Sequence, residues 1–97
     1  MDTLFSLKGR IAFVTGASRG LGFAMAKALK DAGATVIINA RNETELSIAA
    51  EKIGCEAMTF DVTDAATALA KLEEIAERLG RLDVLVNNAG IQHPTAS

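Results

Sequence analysis

Apolar residues along the chain fall into short continuous runs and longer segments in which they recur every three or four positions, and the two kinds alternate three times before a last short run. A short run bounded by turn residues suits a strand, whereas the 3.6-residue period suits a helix with one buried stripe. Residues 10–15 (RIAFVT) are the first run and lead directly into Gly16-Ala17-Ser18-Arg19-Gly20-Leu21-Gly22. The helix expected next carries Leu21, Met25, Ala28, Leu29 and Ala32 on one face, Lys27, Lys30 and Asp31 on the other, and stops at Gly33. Residues 35–39 (TVIIN) read as a second strand, β-branched at its centre and suited to burial on both faces. Asn42, with Glu45 three residues on, starts a second helix whose inner stripe is Leu46, Ala49, Ala50 and Ile53 and whose end is Gly54. Residues 55–60 are expected to form a third strand, mainly from their place in the rhythm. Thr63 or Asp64 caps a third helix carrying Leu69, Leu72, Ile75 and Leu79 and closed by Gly80. Residues 82–87 (LDVLVN) read as the fourth strand; residues 88–97 contain Gly and Pro and read as a loop, with 91–97 a frayed tail.

The order βαβαβαβ implies parallel pairing through right-handed crossovers, hence an α/β fold with a Rossmann-like, doubly wound, four-stranded sheet in one partial domain over residues 1–97. The first two helices are expected on one face of the sheet and the third on the other. The apolar strand at 84–86 is then expected to present an unpaired edge, which would make the isolated chain marginal or self-associating.

Composition narrows the function classes. With 97 residues there is room for one modest core, which excludes separate cofactor and substrate domains within this sequence. Ten basic against 12 acidic residues argue against a nucleic-acid binder and against attachment to an anionic membrane. A lone Cys55 has no intramolecular disulfide partner, which fits a reducing compartment. The opening MDTLFSLKGR has neither the basic nor the apolar region of a secretory signal, and no run reaches the roughly 18 apolar residues of a membrane span; a cytoplasmic location is expected. There is no Tyr and no Trp, so chemistry that needs a phenol has no donor within these residues.

A strand, a glycine-rich turn and a helix together make an anion site, because the first helical N–H groups are unpaired and the dipole is positive there. Gly16 suits the tight turn off the strand, Gly20 the close approach of backbone to a pyrophosphate, and Gly22 the packing of helix on sheet. The bland alternative is a flexible loop. Asp61 reads either as a ligand for a base or as a helix cap, although Thr63 and Asp64 are both competent caps. Asn88, Ala89 and Gly90 lie just past the fourth strand, where open α/β sheets bind ligands, or Asn87 and Asn88 are simply turn formers. His93 precedes Pro94 in the tail and reads as no catalyst, while Cys55, Met25 and Met58 read as core fillers, with no metal set among them.

Taken together, Thr15-Gly16-Ala17-Ser18-Arg19-Gly20-Leu21-Gly22, the segment after the second strand, Asp61-Val62 after the third and Asn87-Asn88-Ala89-Gly90 after the fourth resemble the short-chain dehydrogenase/reductase family. The likeness runs from about Leu7 to Gln92 and covers the family's amino-terminal, cofactor-binding half. Leu4-Phe5-Ser6-Leu7-Lys8-Gly9, Asn39-Ala40-Arg41 and Asn87 through His93 look most like its gluconate 5-dehydrogenase branch.

The resemblance implies a nicotinamide dinucleotide on Gly16, Ala17, Ser18, Arg19, Gly20, Leu21 and Gly22, adenine contacts from Asp61 and Val62, and Asn88, Ala89 and Gly90 along the adenosine half. An NAD site places an acid near the end of the second strand, but positions 39–41 are Asn, Ala and Arg. Arg41, with Arg19 opposite, suits a 2′-phosphate, so NADP is expected over NAD; the alternative for Arg41 is a solvated loop cation. A complete family member implies hydride exchange between NADP(H) and an alcohol or ketone, a homo-oligomer, and a catalytic Tyr-x-x-x-Lys that these residues do not contain. The other expectation is a truncated, non-catalytic remnant that binds nucleotide.

Overall fold

A computed structural model describes residues 6–88. In chain order the elements are β1 (Ile11–Thr15), α1 (Gly20–Asp31), β2 (Thr35–Ala40), α2 (Glu43–Ile53), β3 (Glu56–Thr59), α3 (Ala65–Leu79) and β4 (Val84–Asn87). The four strands form one parallel sheet in the order β3-β2-β1-β4. The chain therefore winds from β1 toward one edge through β2 and β3, then crosses back to place β4 on the other side of β1. That reversal opens a crevice beyond the carboxyl ends of β1 and β4.

Every residue of β1 is buried, as is β2 beyond Thr35, because both strands are covered on their two faces. On one face Ala12, Val14, Val36 and Ile38 pack with Ala26 of α1 and with Leu46, Ala49 and Ile53 of α2. On the other, Ile11, Phe13 and Ile37 pack with Phe60 and with Ile75 of α3, and the Phe13 and Phe60 rings stack with centroids 6.1 Å apart. The two-and-one distribution of helices is the one the crossover rule demands. β4 lies at the sheet edge, with Leu85 54% exposed.

Two helix phases differ from the sequence reading. In α1 the inner stripe is Gly22, Ala26 and Leu29 with Phe23, while Leu21 and Ala28 face outward. The glycine turn sets this phase, since Gly22 must face the Gly16 carbonyl and any other rotation would drive a side chain into it. Met25 is half-buried and belongs to neither cluster, so of the two methionines expected in the core Met58 alone packs there. In α3 the stripe is Ala68, Leu72, Ile75 and Leu79, and Leu69 is 59% exposed. Positions 68 and 69 both neighbour 72 on a helix, and the small Ala68 is the one turned toward the sheet.

Strand ends also shift. β2 runs one residue further than expected, through Ala40, and β3 is trimmed to Glu56–Thr59 at the sheet edge. β4 begins at Val84 because Asp83 serves as a junction: its N–H donates to Ile11 O (2.9 Å) and its Oδ2 accepts from Ile11 N (2.8 Å). Among the described residues no helix is long and apolar enough to cross a membrane, and no His, Cys, Asp and Glu group could hold a metal ion.

Candidate dinucleotide site

The site grows from the carboxyl ends of β1 and β4. Gly16 turns the chain off β1 with φ 61°, a left-handed conformation that suits glycine, and Gly20 repeats it with φ 65° at the helix start. Between them Ala17 N–H donates to Asn39 O (3.0 Å), which ties the turn to the end of β2. The side chain of Asn88, fully buried just past β4, donates from Nδ2 to Gly16 O (3.1 Å). A Cβ on Gly22 would collide with that same carbonyl and come within 2.6 Å of Asn88 Nδ2. Gly22 is therefore required by a specific three-way contact of turn, helix and β4 exit, a tighter role than general packing on the sheet. Above Gly20, by contrast, an added Cβ would meet nothing within 4 Å. The helix start is open on its outer side.

Helix α1 begins without a side-chain cap, at Arg19 in extended conformation. The other two helices are capped in the ordinary way: Asn42 Oδ1 accepts from Glu45 N (2.9 Å) in α2, and Asp64 Oδ1 accepts from Thr67 N (3.2 Å) in α3. Only at the glycine turn are the first helical N–H groups left without a side-chain acceptor, and no acidic residue lies in the first turn there. Thr15 Oγ1 donates toward Asn87 Oδ1 (3.1 Å), joining the ends of β1 and β4, and the buried Asn88 Oδ1 has no partner among the described residues. Such a set of donors and neutral amides fits a phosphate-bearing ligand.

The second flank is Arg41 and the Asp61–Val62 turn. Arg41 follows β2 directly and is exposed, as is Arg19. Asp61 Oδ1 accepts both Thr63 N (2.9 Å) and Thr63 Oγ1 (2.6 Å), so its carboxylate closes a local turn while Asp64 caps the helix. Those two bonds, and then the positive charge of Arg41, hold the Asp61 carboxyl below the usual carboxylate range. Val62 is half-buried and anchors its turn against the Phe60–Ile75 cluster.

The structure therefore brings Gly16, Ala17, Ser18, Arg19, Gly20, Leu21, Gly22 and Asn88 to one crevice, with Arg41, Asp61 and Val62 along its β2–β3 side. Leu21 sits in the first turn of α1 with its side chain 56% exposed. Ala89, Gly90 and His93 lie outside the described residues. Sequence reasoning passed over Asn39, which is 1% exposed and donates from Nδ2 to Met58 O and Phe60 O, each at 3.0 Å. The available signal was an amide at the end of an otherwise apolar, doubly buried strand.

The short chain dehydrogenase family profile matches residues 10–97. Among curated proteins the chain is 45% identical over 94 residues to gluconate 5-dehydrogenase of Gluconobacter oxydans, covering 92% of this chain and 37% of that one. It is 44% identical over 88 residues to a 3-oxoacyl-(acyl-carrier-protein) reductase of Vibrio harveyi, covering 89% and 36%. Among solved structures, the RhlG/NADP active-site complex of Pseudomonas aeruginosa superposes with a TM-score of 0.82 at 41% identity, over 91% of this chain and 37% of that one. The chain thus spans less than half the length of these relatives. With a profile match over residues 10–97 and this likeness in sequence and fold, the chain belongs to the short chain dehydrogenase family.

Proposed function

We propose that this chain is the NADP(H)-binding half of a short chain dehydrogenase whose complete form moves hydride between NADP(H) and an alcohol or ketone. The observation that carries the reading is the uncapped start of α1 above Gly20, set in the β1–β4 crevice by the Gly16–Gly22–Asn88 contact. Backbone N–H groups at that helix start would take the pyrophosphate, and exposed Arg19 and Arg41 would take a 2′-phosphate on adenosine. No acid stands at the end of β2, where an NAD site would use one for the ribose hydroxyl. The Asp61–Val62 turn would receive the adenine. Bound there, the cofactor would supply hydride, and this chain's residues would hold and orient its adenosine end. The complex of a relative with NADP supports the same choice.

A sugar acid of the gluconate and 5-ketogluconate type is the substrate we favour, because the Gluconobacter relative carries that name. A relative of nearly equal identity is named for an acyl-carrier substrate, so the substrate rests on other parts of the protein than the shared half. These 97 residues contain no Tyr, so the proton donor for a carbonyl reduction would come from outside them; in a second reading, a chain limited to these residues binds nucleotide without turning over carbonyl compounds.

Titration of the chain with NADPH and NADH tests the cofactor assignment: NADPH should bind more tightly, and equal affinities would contradict it. The intact mass of the native gene's product separates the two readings. A mass near 10.1 kDa favours the remnant, whereas a substantially heavier product directs the search for Tyr and Lys beyond Ser97. Carbonyl reduction by the pure 97-residue chain would overturn the argument from the missing phenol.

A further inference from the structure

Asn39 occupies the carboxyl end of β2, the middle of the three strands whose exits flank the adenosine side of the crevice. Its side chain is buried and its Nδ2 donates to two carbonyls, Met58 O and Phe60 O. Only an amide nitrogen can donate twice here, so the chemistry orients the side chain with its nitrogen toward β3. The two accepting carbonyls straddle Thr59, the last residue of β3, and Asp61 and Val62 follow at once. Holding both carbonyls fixes the direction in which the chain leaves the sheet. The backbone carbonyl of Asn39 meanwhile accepts from Ala17 N, and Arg41 lies two residues further on.

We propose that Asn39 is a positioning residue that sets the distance between the glycine turn, Arg41 and the Asp61–Val62 turn, and so controls affinity for the adenosine end of the ligand without touching it. The inference rests on the nucleotide site proposed above. Its logic also explains the residue type. An ionised Asp at 39 would turn a carboxylate toward two carbonyl oxygens, a Thr has one hydrogen for two acceptors, and a Leu takes away both side-chain donors.

The full chain is titrated with adenosine 2′,5′-bisphosphate and, separately, with inorganic pyrophosphate, at a temperature where circular dichroism shows each variant folded. Asn39→Leu should weaken the adenosine ligand by about tenfold or more, because the Asp61–Val62 turn is no longer held at its distance from Arg41, while pyrophosphate changes by less than about twofold because Asn39 reaches the glycine turn only through its backbone carbonyl, which the substitution leaves in place. Asn39→Thr, which keeps one donor, should fall between wild type and Asn39→Leu, and it carries the test if Asn39→Leu does not fold. Equal losses for both ligands would reduce Asn39 to a general stabiliser and overturn the inference, as would unchanged affinity for the adenosine ligand. Wild-type chain that binds neither ligand would overturn the nucleotide reading itself, and the positioning role with it.

Discussion

At the amino-terminal rim of the sheet, Asp83 accepts from Ile11 N and from Arg81 Nε (2.9 Å), with Arg10 at 3.5 Å, so a charged cluster pins β4 to β1. At the carboxyl-terminal rim the bonds that join the same two strands among the described residues run between neutral groups: the Thr15 hydroxyl, the Val86 and Gly16 carbonyls and the Asn87 and Asn88 amides. A carboxylate can be spent on structure where no ligand is expected, and there it gains charge-assisted hydrogen bonds. Beside the α1 start it would compete with an anion for the same N–H groups. The difference between the rims therefore separates a region built to be held from a region built to be left open.

The strongest way to break this comparison is at Gly22. Replacing it with Ala should cost about 2 to 3 kcal/mol in urea unfolding and abolish dinucleotide binding, because the added methyl meets Gly16 O and Asn88 Nδ2. A Gly22→Ala chain that binds and unfolds like wild type would mean the turn has slack. Next in size, Arg41→Asp in a complete enzyme should lower the NADPH-to-NADH ratio of kcat/KM by about tenfold to a hundredfold, and an unchanged ratio would remove Arg41 from the 2′-phosphate site.

A smaller effect sharpens the contrast between helix starts. Asn42→Ala removes the acceptor for Glu45 N in α2 and should cost about 1 kcal/mol of stability while leaving NADPH affinity alone. Calorimetric titration showing weaker NADPH binding would mean that α2 capping and the crevice are coupled.

The smallest expected change concerns pH. Hydrogen bonding to Arg81, then the Ile11 N–H, holds the Asp83 carboxyl below the usual carboxylate range. A carboxyl whose pKa is lowered on folding contributes stability that is complete above its unfolded value, about pH 4, and is lost as pH falls toward the folded value. Asp83→Asn should flatten the acid limb of the stability curve. It should not abolish that limb, since the Asp61 carboxyl is lowered too. An acid limb as steep as the wild type's would show that Asp83 titrates alike in both states.

Element order, parallel pairing and the glycine turn were legible because each rests on local pattern: β-branched runs, 3.6-residue stripes and glycines that end helices in left-handed conformation at Gly54 and Gly80. Helix phase was less legible. Leu21 and Leu69 satisfy the same periodicity as the residues that are buried, and only contact with Gly16 or with the sheet selects the phase. The site was readable as a string of segments but not as a set of bonds. Asn88 to Gly16 spans 72 positions and Asn39 to Phe60 spans 21, distances over which sequence carries no geometric signal.

What the sequence by itself determined is the order of strands and helices, the openness of the glycine turn and the absence of an acid after β2, since these follow from residue types and short spacings. Tertiary structure alone decided which face each helix buries, why position 22 tolerates no side chain, and that Asn39 binds the exit of β3. Those outcomes depend on which carbonyls and amides the folded sheet sets against one another, and close packing admits one arrangement where periodicity admits several.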